Sequence, residues 1–196
     1  MEATLIINNI KLDLGHRELN EISYALGDCD RTKDIYHELA QSPSAETRSN
    51  IVSQSHLHTK TVKLLLSDSQ IEVMRSMINQ DKFISKMRKE DIERFINTGD
   101  AEILTDIVRN IDDLTQEYEV CEKDWLCEKL YQQADPSVRY ELADNDETSD
   151  FILRKLIKDP DINVSHTAKE TLKEIEDDNI WDEDSEDDMD DEDIDL

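Results

Sequence analysis

Glycine, proline and aromatic residues are scarce in this sequence. It has 3 glycines and 3 prolines, and aromatic residues make up 5% of the chain. Sheet proteins with many turns draw on glycine and proline at those turns. The scarcity therefore argues against a fold built from many short strands and favours helices.

Long apolar runs are absent as well, and we expect no secretory leader. No apolar stretch approaches the ~20 residues that a membrane-spanning helix needs. Residues 1–16 lack a basic stretch followed by an apolar one, which argues against a signal peptide. The 3 cysteines, Cys29, Cys121 and Cys127, are irregularly spaced. This is typical of reduced thiols, so we predict a cytoplasmic protein in which Cys121 and Cys127 act as small buried residues or inert thiols.

Motifs that carry catalysis are missing. We find no glycine-rich phosphate loop, no nucleophile elbow and no histidine–carboxylate pattern with catalytic spacing. His56 and His58 form an H-x-H without further ligands nearby in the sequence, which is a poor zinc signature. We therefore expect no enzymatic activity, no cofactor and no metal site.

Basic residues are outnumbered by acidic ones. The chain has 22 Lys+Arg against 49 Asp+Glu, for a formal net charge of −27. Residues 176–196 hold 14 acidic residues and no basic one, and the rest of the chain is acidic without them. Such a surface repels nucleic-acid phosphates and attracts basic proteins. We expect a basic protein partner and no direct binding of nucleic acid or membrane, whereas the sequence does not indicate an oligomeric state.

One phrase recurs along the chain. It is clearest at residues 133–139 (QADPSVR) and 159–165 (DPDINVS), and it recurs more weakly at residues 42–48, 68–74 and 98–104. Aligning the copies gives five anchor residues whose spacings are 26, 30, 35 and 26 residues: Thr47, Val73, Ile103, Val138 and Val164. Repeats of this period predict a helical array.

Each copy predicts a short helix. Four residues after each anchor stands an apolar residue on the same helix face, namely Ile51, Met77, Ile107, Leu142 and Ala168. Three residues further on a polar residue marks the expected helix end: Gln54, Gln80, Asn110, Asn145 and Thr171. The expected N-caps are Ser42, Asp68, Thr98 and Asp159, with Asp135 in place of Gln133 in the fourth copy. A second apolar helix fits between copies, as at residues 59–66 and 148–158.

The stretch Asp135-Pro136-Ser137-Val138-Arg139 with Leu142-Ala143-Asp144-Asn145 resembles the variant leucine-rich repeat, a relative of HEAT-like repeats, whose units look like D-P-x-x-x-V-R…L-A-x-N…T…I-L-x-x-L. The resemblance covers residues 36–172; Arg48 and Arg139 keep the family's arginine, whereas Met74, Leu104 and Ser165 depart from it. It implies an α-solenoid and no single activity. We predict an all-α fold with an N-terminal helical cap (1–40), an α-solenoid of about five stacked short helix pairs (41–175) and a disordered acidic tail (176–196).

Helices are also predicted in the N-terminal region and in the longest interval between copies, which follows residue 110. Leu5, Ile6, Ile7 and Ile10 are predicted to form a short apolar helix edge. Helices are also predicted at residues 18–26 and after Asp30 or Thr32. The interval after residue 110 is predicted to hold one long helix that starts at Asp112 or Thr115.

Two segments are candidates for partner contact. The only basic cluster contains Lys82, Lys86, Arg88 and Lys89; it is either a solvated helix face or a patch that meets an acidic partner or the chain's own acidic tail. In the tail, Trp181 lies beside Asp182, Glu183 and Asp184. Apolar residues among acids are typical of segments that fold onto a partner, and a solubilising tail is the alternative.

These observations favour a non-enzymatic protein-interaction module whose acidic solenoid surface and tail bind a basic protein. The alternative is an inhibitor that mimics nucleic acid and occupies the groove of a DNA- or RNA-binding protein. The candidate partner-binding residues are the repeat arginines Arg48 and Arg139, the basic cluster, and Trp181 with its three acidic neighbours.

Overall fold

The computed structural model describes residues 3–186, and most of them are helical. The all-α class predicted from the sequence is confirmed, with one exception at the N-terminus. Two compact units make up the chain, the first ending at Cys121 and the second beginning at Glu122. This boundary lies inside the segment 41–175 that the sequence assigns to one repeat array.

The exception is a β-hairpin formed by β1 (Ala3–Ile7) and β2 (Ile10–Leu14). The prediction of an apolar helix edge here was wrong. Asn8 and Asn9 adopt positive φ angles of 49° and 67°, as the tight two-residue turn of a hairpin requires. This turn pairs Ile7 with Ile10, and β-branched residues suit strands better than helices.

The first unit continues with eight helices of short or moderate length. They are α1 (His16–Ala25), α2 (Lys33–Leu39), α3 (Ala45–Val52), α4 (Thr59–Leu66), α5 (Ile71–Met77), α6 (Asp81–Ile84), α7 (Lys89–Ile96) and α8 (Ala101–Arg109). Helix α3 packs against α1 on one side and α5 on the other, and α5 also contacts α8. Helices α2, α4 and α6 follow one another in a second set of contacts. The predicted helices at residues 18–26 and after Thr32 are confirmed as α1 and α2.

The second unit contains α9 (Lys123–Tyr131), α10 (Pro136–Asp144), α11 (Asp150–Leu156) and α12 (Ile162–Glu186). Helix α12 packs on α10 and α11, which both contact α9. The long helix predicted after Asp112 was wrong. A π-helical turn (Asp113–Glu117) occupies its first part, and Glu119 at a φ of 49° breaks the chain direction before α9.

The anchors of the repeated phrase form the core, as predicted. Each anchor is at most 1% exposed, and each apolar residue four positions later is fully buried: Thr47, Val73, Ile103, Val138 and Val164, followed by Ile51, Met77, Ile107, Leu142 and Ala168. Cys121 and Cys127 are buried, also as predicted, and neither forms a disulfide within the described residues. The spacing of four residues therefore places both members of each pair on the inner face of one helix.

The repeat helices begin two residues later than predicted, except in the fourth copy. Ser44 and Asp100 are the caps of α3 and α8, and Asp135 caps α10 as expected. The residues predicted as caps hold the preceding turn instead. The Asp68 carboxylate accepts the Gln70 N–H at 2.9 Å, and Asp159 does the same for Asp161. A carboxylate that accepts a hydrogen bond from the backbone N–H two residues later forms an Asx turn. The same side chain could otherwise cap the helix, so the two roles compete.

The C-terminal helix is longer than the repeat predicts. Thr171 was expected at a helix end, but it is buried inside α12. The backbone of α12 continues to Glu186, across part of the segment for which the sequence predicts disorder. Residues 187–196 of that segment lie outside the described residues.

Candidate interaction surfaces

The two repeat arginines bind inside the chain. Arg48 donates from Nε to the Asp68 carboxylate at 2.5 Å and from Nη1 to the Ser42 carbonyl at 2.7 Å. Arg139 makes the same two kinds of contact, donating to Asp159 at 2.7 Å and to the Gln133 carbonyl at 3.1 Å. In both pairs the aspartate lies 20 residues after the arginine. Both arginine side chains are 14% exposed. Their role in the structure is to join one helical copy to the turn that opens the next.

The carboxylates of these ion pairs have perturbed pKa values. Burial by itself would raise the pKa of Asp159, but hydrogen bonds from Arg139 and from the Asp161 N–H outweigh it, so the pKa lies below its usual value. The same balance, with Arg48 and Gln70 as donors, lowers the pKa of Asp68. A charged carboxylate is therefore favoured in the folded chain more than in the unfolded chain.

Replacing Asp159 by asparagine should produce a stability loss that depends on pH. Because the folded-state pKa is depressed, the stabilisation is complete above the unfolded pKa of ~3.9 and is lost as the pH falls through the folded value. Both tryptophans of the chain, Trp125 and Trp181, lie in the second unit, so urea unfolding followed by tryptophan fluorescence reports on it. The difference in free energy of unfolding between wild type and Asp159→Asn should shrink in acid. The control Asp146→Asn, at an exposed site, should differ little from wild type at any pH. A pH-independent difference would contradict this.

A continuous polar surface crosses α1, α3, α5 and α8. Asn20 on α1 donates to Glu46 on α3 at 2.6 Å and accepts from Asn50, one turn along α3, also at 2.6 Å. The hydroxyls of Ser49 on α3 and Ser76 on α5 lie 2.5 Å apart. We call this surface the ladder face, because each rung joins neighbouring helices through side-chain hydrogen bonds.

The ladder face continues from α5 to α8. Asn79, just after α5, donates to the Asp106 carboxylate at 2.9 Å and accepts from Asn110 at 3.1 Å. One turn earlier, Arg75 donates to Asp100 at 2.6 Å and pairs with Glu102 at 2.7 Å. These side chains are short or held by partners, so the surface is ordered before any ligand arrives.

Three glutamates stand at equivalent places on the ladder face. Glu46, Glu72 and Glu102 each occupy the second position of their helix, on α3, α5 and α8, and each is exposed. Carboxylates there are stabilised by the positive end of the helix dipole. Arg75 is shared between Glu102 and Asp100, so those three groups together keep one negative charge. With Glu46 and Glu72, the face therefore carries a row of negative charge along α3, α5 and α8.

The basic cluster is split by the structure. Lys82 on α6 turns inward, donates from Nζ to the Gln54 carbonyl at 2.7 Å, and has its pKa lowered by burial. Lys86 and Arg88 are exposed and line a groove of about 480 Å³ together with Lys63 of α4. Lys89 is the first residue of α7 and is half-buried. The cluster thus extends from α6 through the loop after it to the first residue of α7.

The remaining candidate residues lie on the C-terminal helix. Trp181, Asp182, Glu183 and Asp184 fall on the backbone of α12, and their side chains are outside the described part of the chain. The ladder face was not identified from the sequence. Its signal was present, because Glu46, Glu72 and Glu102 occupy the same position in the three upstream copies of the repeated phrase.

The two histidines of the H-x-H motif each meet a carboxylate. His56 Nδ1 lies 3.2 Å from Asp28, and His58 Nε2 lies 3.1 Å from Asp34. Among residues 3–186, no group of three or more histidine, cysteine or carboxylate side chains is placed to hold a metal ion. Nor does this part of the chain contain a helix long and apolar enough to cross a membrane.

No family model, curated protein or solved structure matches this chain.

Proposed function

We propose that this chain is a non-enzymatic protein-interaction module and that the ladder face binds a basic segment of a protein partner. The observation that carries this proposal is the row formed by Glu46, Glu72 and Glu102 beside ordered amides and hydroxyls. Glutamates supply charge for lysine or arginine side chains. The asparagine and serine groups supply donors and acceptors for a polypeptide backbone.

We also propose that the helices form a HEAT-like array of the variant leucine-rich type, with the ladder face as its binding surface. Support comes from the recurrence of one buried anchor pair in five helices. It also comes from the arginine bridge, which joins Arg48 to Asp68 and Arg139 to Asp159 over the same 20-residue spacing. Stacked helical repeats commonly expose such extended surfaces for protein partners.

The acidic segment 176–196 fits the same function as a second attachment. Its 14 acidic residues raise the local concentration of a basic partner near the ladder face, which strengthens binding without a new specific contact. Cys29, Cys121 and Cys127 form no disulfide within the described residues, which supports our proposal of a reducing, cytoplasmic location.

Charge reversal on the ladder face tests the proposal. The principal protein partner is first captured by the wild-type chain at moderate salt with nuclease present. The double variant Glu46→Lys, Glu72→Lys is then expected to bind this partner about tenfold more weakly, or weaker still. That loss equals ~1.4 kcal/mol, which two desolvated interfacial charges readily supply. Isothermal titration calorimetry with the purified partner gives the two dissociation constants.

A matched variant separates the ladder face from net charge. Glu38→Lys with Glu117→Lys changes the net charge equally at exposed positions outside the ladder face, and it should bind the partner as wild type does. Equal losses in both variants would show that only overall charge matters. If the partner binds DNA or RNA and is displaced by either one, the nucleic-acid mimic becomes the better explanation.

A further inference from the structure

The groove beside α4 has several unpaired cations in its lining. Its lining includes Lys63 and Leu66 from α4, Ser67 after it, and Lys86 and Arg88 from the loop that joins α6 to α7. Within the described residues, Lys63, Lys86 and Arg88 take part in no ion pair. A chain with more than twice as many acids as bases offers abundant partners for surface cations, so three unpaired ones around one groove need an explanation.

Several other basic side chains of the first unit are engaged. Arg48, Arg75 and Lys33 pair with carboxylates, and Lys82 donates to a backbone carbonyl. Arg94 donates to the carbonyls of Leu66 and Asp68 and thereby fixes the loop that forms one wall of the groove. Lys11 and Lys60 also lack an ion pair among the described residues, but each is a single exposed lysine. The groove differs in having three such cations in the lining of one cavity.

The acids in the groove lining do not cancel its charge. Asp91 uses one carboxylate oxygen to accept the Arg88 N–H and directs the other toward Arg94. Its charge is therefore compensated by Arg94, which does not line the groove. Glu90 alone remains against Lys63, Lys86 and Arg88, which leaves the groove positive in a strongly negative protein.

The charge of the whole chain decides which kind of anion fits. A net charge of −27 repels any anion at long range, and the repulsion grows with the total charge of the ligand. A polyacidic segment or a nucleic acid brings many charges, most of which find no cation here. A phosphomonoester concentrates ≈ −1.5 to −2 charges and three acceptor oxygens in one group, which suits a groove with three cations in its lining.

A second hollow adjoins the groove through Lys86. It has a volume of about 190 Å³ and is lined by Leu57, Thr59, Val62 and Ser85 as well as Lys82 and Lys86. Leu57 and Val62 give it an apolar wall that the groove itself has only at Leu66. A ligand with an apolar group next to its phosphate would fill both hollows.

We propose that the groove formed by Lys63, Lys86 and Arg88 is a binding site for a phosphomonoester that carries an apolar group. The chemistry is shared by a phosphorylated serine or threonine next to an apolar residue in a protein and by a small organic phosphate. The site is independent of the ladder face, because the groove lining comes from α4 and residues 85–91, which contribute nothing to the ladder.

Phenyl phosphate is the first probe, because it joins one phosphomonoester to one apolar ring. It would be titrated into the full-length ¹⁵N-labelled chain at constant ionic strength, with amide shifts as the readout. Saturable shifts are expected at residues 66–67 and 85–90, and binding should weaken as the pH falls below the second phosphate pKa of ~6. Benzoate, with the same ring and a single charge, should bind at least fivefold more weakly. Equal binding of benzoate, or shifts spread over the chain, would overturn the proposal.

Matched variants locate the site. Lys63→Ala with Lys86→Ala should weaken phenyl phosphate at least tenfold, whereas Lys60→Ala with Lys11→Ala removes the same charge from exposed lysines outside the groove and should have no effect. Lys86→Arg should retain binding. Equal losses in the two double variants would refute the assignment. A phosphoserine–leucine peptide that binds more tightly than phenyl phosphate identifies a protein source, and equal affinity identifies a small organic phosphate.

Discussion

Replacing Arg139 by alanine is expected to lower the free energy of unfolding of the second unit by about 3–5 kcal/mol, the cost of breaking a buried ion pair by removing one partner. Asp159 is 3% exposed and Arg139 is 14% exposed, so the remaining carboxylate has little access to water. The carbonyls of Gln133 and Ala134 lose their donor in the same substitution. Urea unfolding followed by tryptophan fluorescence measures the change.

Arg154→Ala is the matched control for this prediction. Arg154 pairs with Glu176 at 2.9 Å, but the two side chains are 58% and 54% exposed. Exposed ion pairs contribute ~0–1 kcal/mol, so the control should unfold close to wild type. Similar losses in the two variants would mean that the buried bridge between copies does not stabilise this unit beyond an ordinary surface pair.

The sequence predicts the part of the fold that rests on apolar periodicity. Val138 and Leu142 share one face of α10 because four residues make about one helical turn, and both are fully buried. The arginine of the repeat was also identified, since Arg139 stands at a fixed place after the anchor. Its partner Asp159 was assigned instead as a cap, because an aspartate before a helix serves either role and only tertiary contacts choose between them.

Features that depend on short-range turn chemistry were predicted less well. The turn of the hairpin is formed by Asn8 and Asn9 in the left-handed conformation. Because the flanking apolar residues were interpreted as a helix, this turn was not predicted. The break at Glu119 has no sequence signal of the glycine type.

The groove joins Lys63 to Lys86 across 23 positions. Such a juxtaposition follows from the packing of α4 against α6 and cannot be derived from spacing alone.

The helix that positions the groove gives the second large effect. Phe83→Ala is expected to destabilise the first unit by about 3–5 kcal/mol, as for other buried aromatic residues replaced by alanine. Phe83 and Ile84 are fully buried, and α6 spans 4 residues. A helix that short has no stability of its own in water, so burial of these two side chains is what holds it against α4.

Thermal unfolding followed by circular dichroism measures the loss, with Phe151→Ala as the control. Phe151 is 40% exposed, so its truncation leaves no enclosed cavity and should cost far less. Because α6 leads directly into the loop that carries Lys86 and Arg88, Phe83→Ala should also weaken phenyl phosphate below the temperature at which the chain unfolds. If the variant loses stability yet binds phenyl phosphate as wild type does, Lys86 and Arg88 are held by α7 and not by α6.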